Sequence, residues 1–418
     1  MSGERVCMLV RNDCRTDYRV LKEAGSVARA GYRVTVVAAN TYGPLERETR
    51  DGFEIIRVPV ERARTRAARY VNLFPRAMWR MAEVAREVGA AVYHAQDADA
   101  TVPAWLAARR VPGAKLIYDA HEVGFLSFTE MWHYYPFSWM TIPGMISGWG
   151  WQSLFEWIIR HKTDAVITVN DVLADLQAAH YNIPRPTVVM NCPPLAPITG
   201  ERRDVLAERI GVAPKTPIVI CSGMFGLDRG DGAGLENLLR SAALLHRGVV
   251  VLMGNVGTLP EFEPLRALTA SPELAGRAFV LPAVPPTDVA TYLAGASIGV
   301  FPRQPRGLFR FASPNKLFEY MAVGLPMVHG DMPPVQAICE QYGCGLPCDP
   351  GSLASIAAVL NRLLDDPELY QRMHNGALAA AQVYNWQAQE QVLLDVYRRL
   401  LADPASQSAT ANRKSAIP

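Results

Sequence analysis

Asn315 and Lys316, with Glu319 one helical turn further on, lie in the stretch SPNKLFEYMAVGLP from Ser313 to Pro326. An amide and a cation in the first turn of a helix suit an anion, because aligned peptide dipoles and free N–H groups already favour negative charge there. A diphosphate fits that place, and a carboxylate one turn in can accept from two neighbouring sugar hydroxyls. Ser313 reads as the N-cap and Pro314 as the first helical residue, where its missing N–H costs nothing. Leu317, Phe318 and Met321 recur at helical spacing, and Gly324-Leu325-Pro326 ends the run. The preceding loop carries Arg303, Arg306 and Arg310. Far from this stretch, His121 follows the apolar run Lys115–Asp119. An imidazole just past a strand end can donate to a sugar hydroxyl or move a proton near neutral pH. Asp97 closes another such run, Ala91–Gln96. His121, Asp97 and Lys316 are the candidate catalytic residues.

These side chains need elements to hold them. Val6–Val10 is a short apolar run, followed by the polar loop RNDCRTD, a helix from about Tyr18 to Ala30, a stop at Gly31 and a strand Arg33–Ala39. That β-loop-α-β opening begins a doubly wound sheet, whose ligands sit beyond the carboxyl ends of the strands. Asn12, Asp13, Arg15 and Asp17 therefore stand at a ligand-binding edge. For Asp13 and Asp17 a binding role and a capping role both stay open, while Glu23 reads as solvated. Phe53–Val60, Ala91–Gln96, Lys115–Asp119, Ala165–Val169 and Thr187–Asn191 are further strands, and Asn72–Val88 is an arginine-rich helix. Asp99 reads as the N-cap of a helix Thr101–Arg109. Cys192–Lys215, with Pro193, Pro194 and Pro197, reads as a linker. The second half repeats the pattern: Pro217–Ser222 leads into GMFGLDRGDGAG and a helix Leu235–Leu245. Val249–Gly254, Ala278–Val284, Ile298–Pro302 and Pro326–His329 follow as strands. The glycine-rich loop lacks the G-x-G-x-x-G spacing, which speaks against a nicotinamide oxidoreductase. Leu353–Leu364, Pro367–Val383 and Trp386–Leu401 are helical, and the polar tail from Ala402 reads as disordered.

Three stretches carry a resemblance. PNKLFEYMAVGLP resembles the donor-binding helix of retaining GT-B glycosyltransferases, family four in particular. YDAHE (Tyr118–Glu122) is similar to that family's "YDxHE", and DYRVLKEAGSVARAGYRVTVVAA resembles its first helix and second strand, where an acid-x-arginine pair opens the helix. His94 and Asp97 align with the ends of its "HxHD". The resemblance covers nearly the whole chain and implies an α/β fold of two Rossmann-like parallel-sheet domains facing a central cleft. Residues 1–195 would bind the acceptor and 196–385 the nucleotide-sugar donor. The helix 386–402 would cross back to the first domain, with a tail over 403–418. The resemblance further implies Glu319 on the ribose and Ser313, Pro314, Asn315 and Lys316 beside the diphosphate. The loop with Gly223, Gly226 and Arg229 approaches the donor phosphates, with Arg303 and Arg310 nearby, and His121 touches the donor sugar. Asp13, Asp17, Glu122, Trp132, Tyr135 and Trp139 fall on the acceptor side. Two departures stand out. Phe311 occupies the place of a second glutamate that meets the donor sugar, and the glycine-rich loop offers Arg229 without a lysine.

The implied reaction transfers a sugar from a nucleotide-diphosphate sugar to a hydroxyl acceptor with retention, by front-face displacement. Lys316, Arg229 and the helix N-terminus would stabilise the leaving diphosphate, with no metal or other cofactor. The competing reading is a nucleotide-sugar-binding protein that has lost turnover; His121, Lys316 and Glu319 standing together speak against it.

Composition limits the remaining classes. The 418 residues suffice for two or three domains, and half of them hydrophobic with 20% charged is ordinary globular usage. A net charge of +2 gives no general pull toward nucleic acid. Arginine outnumbers lysine 36 to 6, which suits a GC-rich bacterial genome. MSGERVCMLV reads as a strand rather than a signal peptide. Seven cysteines, spread out, suit a reducing cytoplasm, and Cys339, Cys344 and Cys348 match no common zinc spacing. Phe125 to Trp157 holds five of the eight tryptophans, and no charge falls between Tyr134 and Phe155. Pro136, Pro143, Gly144, Gly148 and Gly150 argue against a membrane span. A wall for a hydrophobic or lipid-linked acceptor, a patch dipping into the inner face of a membrane, and a homodimer contact all remain open for this segment.

Overall fold

The computed structural model describes residues 3–40, 43–60, 74–121, 142–195, 204–226, 231–303 and 310–402, without the side chains of 74 and 142–149. Glu122, Trp132, Tyr135, Trp139, Arg229 and the tail 403–418 lie outside these residues. The chain divides into two compact units, Met1–Met190 with Gln389–Pro418, and Asn191–Ala388. The breaks therefore fall at 190/191 and 388/389, against 195/196 and 385/386 on sequence grounds.

The first unit is built on an eight-stranded sheet in the order β3-β4-β2-β1-β5-β6-β7-β8. Its strands are β1 (Arg5–Val10), β2 (Arg33–Asn40), β3 (Glu46–Arg50), β4 (Phe53–Pro59), β5 (Val92–Gln96), β6 (Lys115–Ala120), β7 (Ala165–Thr168) and β8 (Thr187–Val188). All pair in parallel except β3, which runs antiparallel to β4 at the edge. Parallel strands covered on both faces must be apolar throughout, as the fully buried Val6, Cys7, Met8 and Leu9 of β1 are. β3 reads ERETR, so hydrophobic patterning gave no sign of it; a charged strand is tolerated only at an edge. The strand expected over Thr187–Asn191 is only two residues long.

Asp17 caps the helix Tyr18–Arg29 by accepting the Val20 N–H at 3.2 Å. Glu23, expected to be solvated, is fully buried on that helix. Asp99 does not cap the helix Thr101–Ala108; it lies within a 3-10 turn, Ala98–Ala100, that precedes the helix. A 21-residue helix, Ile142–Lys162, runs through the Gly-rich part of the aromatic segment and has in its last turn Arg160 and Lys162, cations favoured by its C-terminal dipole. Among the described residues, no helix is long and apolar enough to cross a membrane.

The second unit has a six-stranded, wholly parallel sheet in the order β11-β10-β9-β12-β13-β14. Its strands are β9 (Ile218–Gly223), β10 (Val249–Gly254), β11 (Ala278–Pro282), β12 (Ile298–Phe301), β13 (Met327–His329) and β14 (Gly345–Pro347). The short β14 and the helices Val205–Ile210 and Pro333–Tyr342 were not foreseen. The helix after the glycine-rich loop starts at Asp231, earlier than the expected Leu235.

Backbone crowding decides two glycines here. A Cβ on Gly234 would collide with the carbonyl oxygen of Pro302, and one on Gly299 with the ring of Tyr320. By contrast, Gly150, within Ile142–Lys162, has open space around it. Gly234→Ala is therefore expected to destabilise by about 2 kcal/mol or more. Gly150→Ala should be neutral or stabilise by up to about 1 kcal/mol through helix propensity. Denaturant midpoints of the two variants against the parent chain check both signs.

Candidate functional site

In the second unit, the helix Asn315–Ala322 starts one residue later than its sequence suggests. Pro314, in extended conformation, is the N-cap residue and supplies no side-chain hydrogen bond. Ser313 is not the cap. Its hydroxyl oxygen is buried without a hydrogen-bond partner among the described residues. The Leu317 N–H goes to the Pro314 carbonyl at 2.9 Å, while the N–H groups of Asn315 and Lys316 meet no side-chain oxygen among the described residues and can face an anion. Lys316 places its ammonium 4.5 Å from the ring centroid of Phe225, and no carboxylate among the described residues forms an ion pair with it. Gly223, with φ of +123°, closes β9 below it, and a Cβ there would stand 3.4 Å from Lys316 Cε. Phe225 is held by Asn255, whose Oδ1 accepts its N–H and whose Nδ2 donates to its carbonyl, both at 2.8 Å. Phe225, Asp231, Arg303, Pro314, Lys316 and Met332 line a small pocket.

The remaining donor-side candidates divide. Glu319 is half-buried, and burial pushes its carboxyl up while Lys316 opposes the shift. The exposed Asn315 accepts from Asn191 Nδ2 at 3.1 Å. Arg303 is committed to Asp231, with Nε–Oδ1 at 2.8 Å and Nη2–Oδ2 at 3.3 Å. Asp231 Oδ2 also accepts the Gly226 N–H at 3.0 Å, so that amide is taken as well. Arg310 faces Asp331 at 3.2 Å. Neither arginine stands free for a phosphate in this arrangement. Tyr320 was not singled out in the sequence, yet its buried hydroxyl accepts the Ser222 N–H at 3.0 Å and ties the helix to the end of β9.

In the first unit, the strand ends gather a buried charge network. Gln96 and Asp119 are register partners on β5 and β6, and His94 lies two residues before Gln96 on the same face. The helix Tyr18–Arg29 presents Arg19 and Glu23 toward them. Arg19 Nη2 lies 2.9 Å from both oxygens of Asp119, its Nη1 donates to the Val189 carbonyl at 3.1 Å, and its Nε lies 3.0 Å from Glu23 Oε1. Burial alone would raise the Asp119 carboxyl, but Arg19 and then His121 hold it well below the usual carboxylate range. For Glu23, burial outweighs Arg19 and the pKa rises. His94 meets the Tyr397 hydroxyl at 2.7 Å through Nδ1, and its Nε2 lies 3.6 Å from Asp119. Glu23, His94 and Asp119 bring three potential metal-ligand atoms within 4.8 Å of one another. The Arg19 guanidinium lies between two of these carboxylates, Glu23 and Asp119.

His121 sits at the outer edge of this network, its side chain 17% exposed. Its N–H donates to Asp97 Oδ1 at 2.8 Å, its Nδ1 lies 3.4 Å from Asp97 Oδ2, and its Nε2 lies 2.7 Å from Gln96 Oε1. Burial and Arg19 work against its charge, but Asp97 and Asp119 prevail and push the imidazole up to about 9. It is a cation at neutral pH, which favours hydrogen-bond donation over the proton transfer that its residue type left open. Asp97 holds this geometry from a strained backbone, φ +66°. Asp99, rather than capping, lies 3.6 Å from Arg11, and burial pushes it up to about 6 against that arginine. Asp17 is used by the helix cap and by Asn12 at 2.7 Å, and Asp13 by the Arg15 N–H at 3.2 Å. Arg19, Glu23, Gln96 and Asp119 were missed as site residues; the acid-x-arginine pair that opens the helix pointed to Arg19, YDAHE contained Asp119 and the HxHD alignment ran over Gln96, while Glu23 carried no signal.

Residues 17–194 match the family model described as a glycosyl transferase 4-like domain, and residues 205–379 match the one described as glycosyl transferases group 1. Among curated proteins, a D-inositol 3-phosphate glycosyltransferase from Xylanimonas cellulosilytica is 26% identical over 227 residues, 54% of this chain and 52% of that one. The match thus spans about half the length of that relative. Among solved structures, a sucrose-phosphate synthase from Thermosynechococcus elongatus aligns with a TM-score of 0.71 at 18% identity, over 95% of this chain and 99% of that one. Anabaena Alr3699/HepE in complex with UDP-glucose aligns with a TM-score of 0.65 at 14% identity, over 94% and 99%. At these identities the likeness establishes the fold.

The raised His121 pKa has a sign that can be read in stability. The folded value near 9 lies above the ordinary 6.5, so the contribution is complete below pH 6.5 and is lost as the pH rises through 9. The loss should be roughly 3 kcal/mol across that window. Chemical denaturation at stepped pH is expected to show this decline in the wild type and a flatter profile in His121→Gln.

Proposed function

This chain belongs to the glycosyltransferases that join a 4-like domain to a group 1 domain, and from that premise we propose that it moves a sugar from a nucleoside-diphosphate sugar to a hydroxyl acceptor with retention of configuration. Its fold is the GT-B fold of two parallel-sheet α/β domains. The observation that carries the proposal is the start of Asn315–Ala322. There a helix N-terminus without a side-chain cap, an ammonium lying over Phe225 and a half-buried carboxylate one turn on offer a diphosphate and a ribose their complementary groups.

In the proposed step, the bond from the anomeric carbon to the diphosphate oxygen breaks as the acceptor oxygen bonds to the same face. The acceptor proton passes to the departing phosphate oxygen. Charge growing on the leaving group is met by Lys316, by the helix N-terminus and by Arg229, and no metal is required. A donor of this kind is worth roughly 3 kcal/mol in the transition state, so Lys316→Met should slow turnover by about a hundredfold. His121 meets the donor sugar through its Nδ1–H, which the longer 3.4 Å approach to Asp97 leaves able to be shared with a sugar hydroxyl, while Nε2 stays on Gln96. UDP-glucose, the ligand of the cyanobacterial neighbour, is the first donor to try. The acceptor is a hydroxyl compound, lipid-linked or otherwise hydrophobic, with the aromatic segment as its wall. All seven cysteines are free, which suits work in the cytoplasm at the inner membrane face. Commitment of Arg303 and Arg310 to acids favours a binding-only protein as the second reading.

The decisive experiment is thermal stabilisation by a panel of nucleoside diphosphates, run on wild type and Glu319→Ala together. A diphosphate at about 100 times its dissociation constant should stabilise by roughly 2.7 kcal/mol. One base giving a shift that Glu319→Ala loses is the expected result, and no shift with any base overturns the reading. Release of the nucleotide on adding acceptor then separates transfer from binding alone.

A further inference from the structure

The buried network has one member that carries no charge and touches both sides of it. Gln96 Nε2 donates to Glu23 Oε2 at 3.1 Å, which leaves Oε1 directed at His121 Nε2, 2.7 Å away. A carboxamide has one donor end and one acceptor end, so the carboxylate that holds the donor end decides what His121 meets. We propose that Gln96 is a positioning residue: anchored by Glu23, it presents its carbonyl oxygen to His121, fixes the ring's orientation and keeps a proton on Nε2. With Asp97 Oδ2 on the Nδ1 side at 3.4 Å, both ring nitrogens then face acceptors.

Every element packed around the ring enters this balance. Asp97 and Asp99 come from the end of β5, and Asp119 from β6, its Oδ2 3.7 Å from His121 Nε2. Arg19 and Glu23 come from the helix Tyr18–Arg29, and His94 from β5 acts on the same carboxylates. Arg19 is spent on Asp119 and Glu23 and opposes the imidazolium. Gln96 alone among these groups contacts Nε2 within hydrogen-bond distance. The opposite wiring requires a protonated Glu23: the carboxamide turns over, offers Nε2 an N–H, and the imidazole becomes neutral. Glu23 thus favours the charged ring for as long as it is itself ionised. The inference rests on the transferase reading only for what His121 then does; the ring's proton is measurable without substrate.

The test uses the full chain labelled at histidine Cε1, with the His121 resonance identified by its loss in His121→Gln, titrated from pH 5.5 to 10. In the wild type, His121 should stay protonated through neutrality with a midpoint near 9. Gln96→Met, which removes the acceptor, should lower the midpoint by about one unit or more. Should Gln96→Met fail to fold, Glu23→Gln, which frees the carboxamide to turn, is expected to lower the midpoint in the same direction. A wild-type midpoint near 6.5, or one unmoved in the variant that folds, overturns the proposal. A failed nucleotide panel would sink the transferase reading and leave this titration result as it stands.

Discussion

A guanidinium with almost no access to water sets the terms of the first unit. Arg19 is 5% exposed, and a buried charge of that kind costs several kcal/mol unless it is paired and hydrogen-bonded. Its partners, Asp119, Glu23 and the Val189 carbonyl, come from β6, from its own helix and from just beyond β8, so one side chain ties three parts of the chain to the strand ends. Asp119, once fixed, meets both His94 and His121. His94 is steadied from Tyr397, 303 residues further along, on the last helix. Local sequence could not produce this site. Its His94 side depends on a helix at the far end of the chain.

The second unit reaches its geometry by close approach rather than by charge. The backbone of β9 passes so near β10 that a Cβ on Gly254 would collide with the Gly223 carbonyl oxygen, and Gly223 itself holds a φ of +123° that side-chain-bearing residues rarely adopt. Gly299 gives Tyr320 its space, and Tyr320 anchors Asn315–Ala322 to the Ser222 amide. Lys316 then lies over Phe225 because strand end, loop and helix start have been brought within a few ångströms of one another. An ammonium above an aromatic face keeps its charge and gains orientation, and three N–H groups remain to point at an anion.

How much was legible follows from where each signal resides. The parallel strands declared themselves as apolar runs, and the helix at 315 through its spacing and its Gly-Leu-Pro stop, because those are local patterns. Ser313 misled because capping depends on where Pro314 places the first turn, and an extended Pro314 moves the helix start on by one. Asp99 misled for a related reason: a 3-10 turn stands between it and the helix it was expected to cap. Glu23 looked solvated because helical periodicity marks apolar faces. A buried ion pair shows no such period, since the groups that hold it, Asp119 on Arg19 and Gln96 on Glu23, lie 100 and 73 residues away. β3 escaped because an edge strand can be wholly polar. Gln96 falls where the HxHD pattern has its second histidine, and only the contacts with Glu23 and His121 give that difference a meaning.

The fate of the arginines shows why residue type alone was a poor guide to the phosphate side. Basic residues before the helix were expected to meet a diphosphate, yet Arg303 and Arg310 each have a carboxylate partner while Lys316 has none among the described residues. A guanidinium's planar fork is satisfied best by a carboxylate that can take it at two points, and Asp231 does that for Arg303. The same Asp231 holds the Gly226 amide. An anion strong enough to draw Arg303 away would therefore leave Asp231 balanced only by that amide and by the start of its own helix, where a carboxylate is favoured. Movement of the arginine and the hold of Asp231 on the Gly226 amide are then linked through one carboxylate. Under the proposed function, a phosphate meeting Lys316 alone would disturb neither, which in electrostatic terms would make the lysine the first contact and the arginine the conditional one.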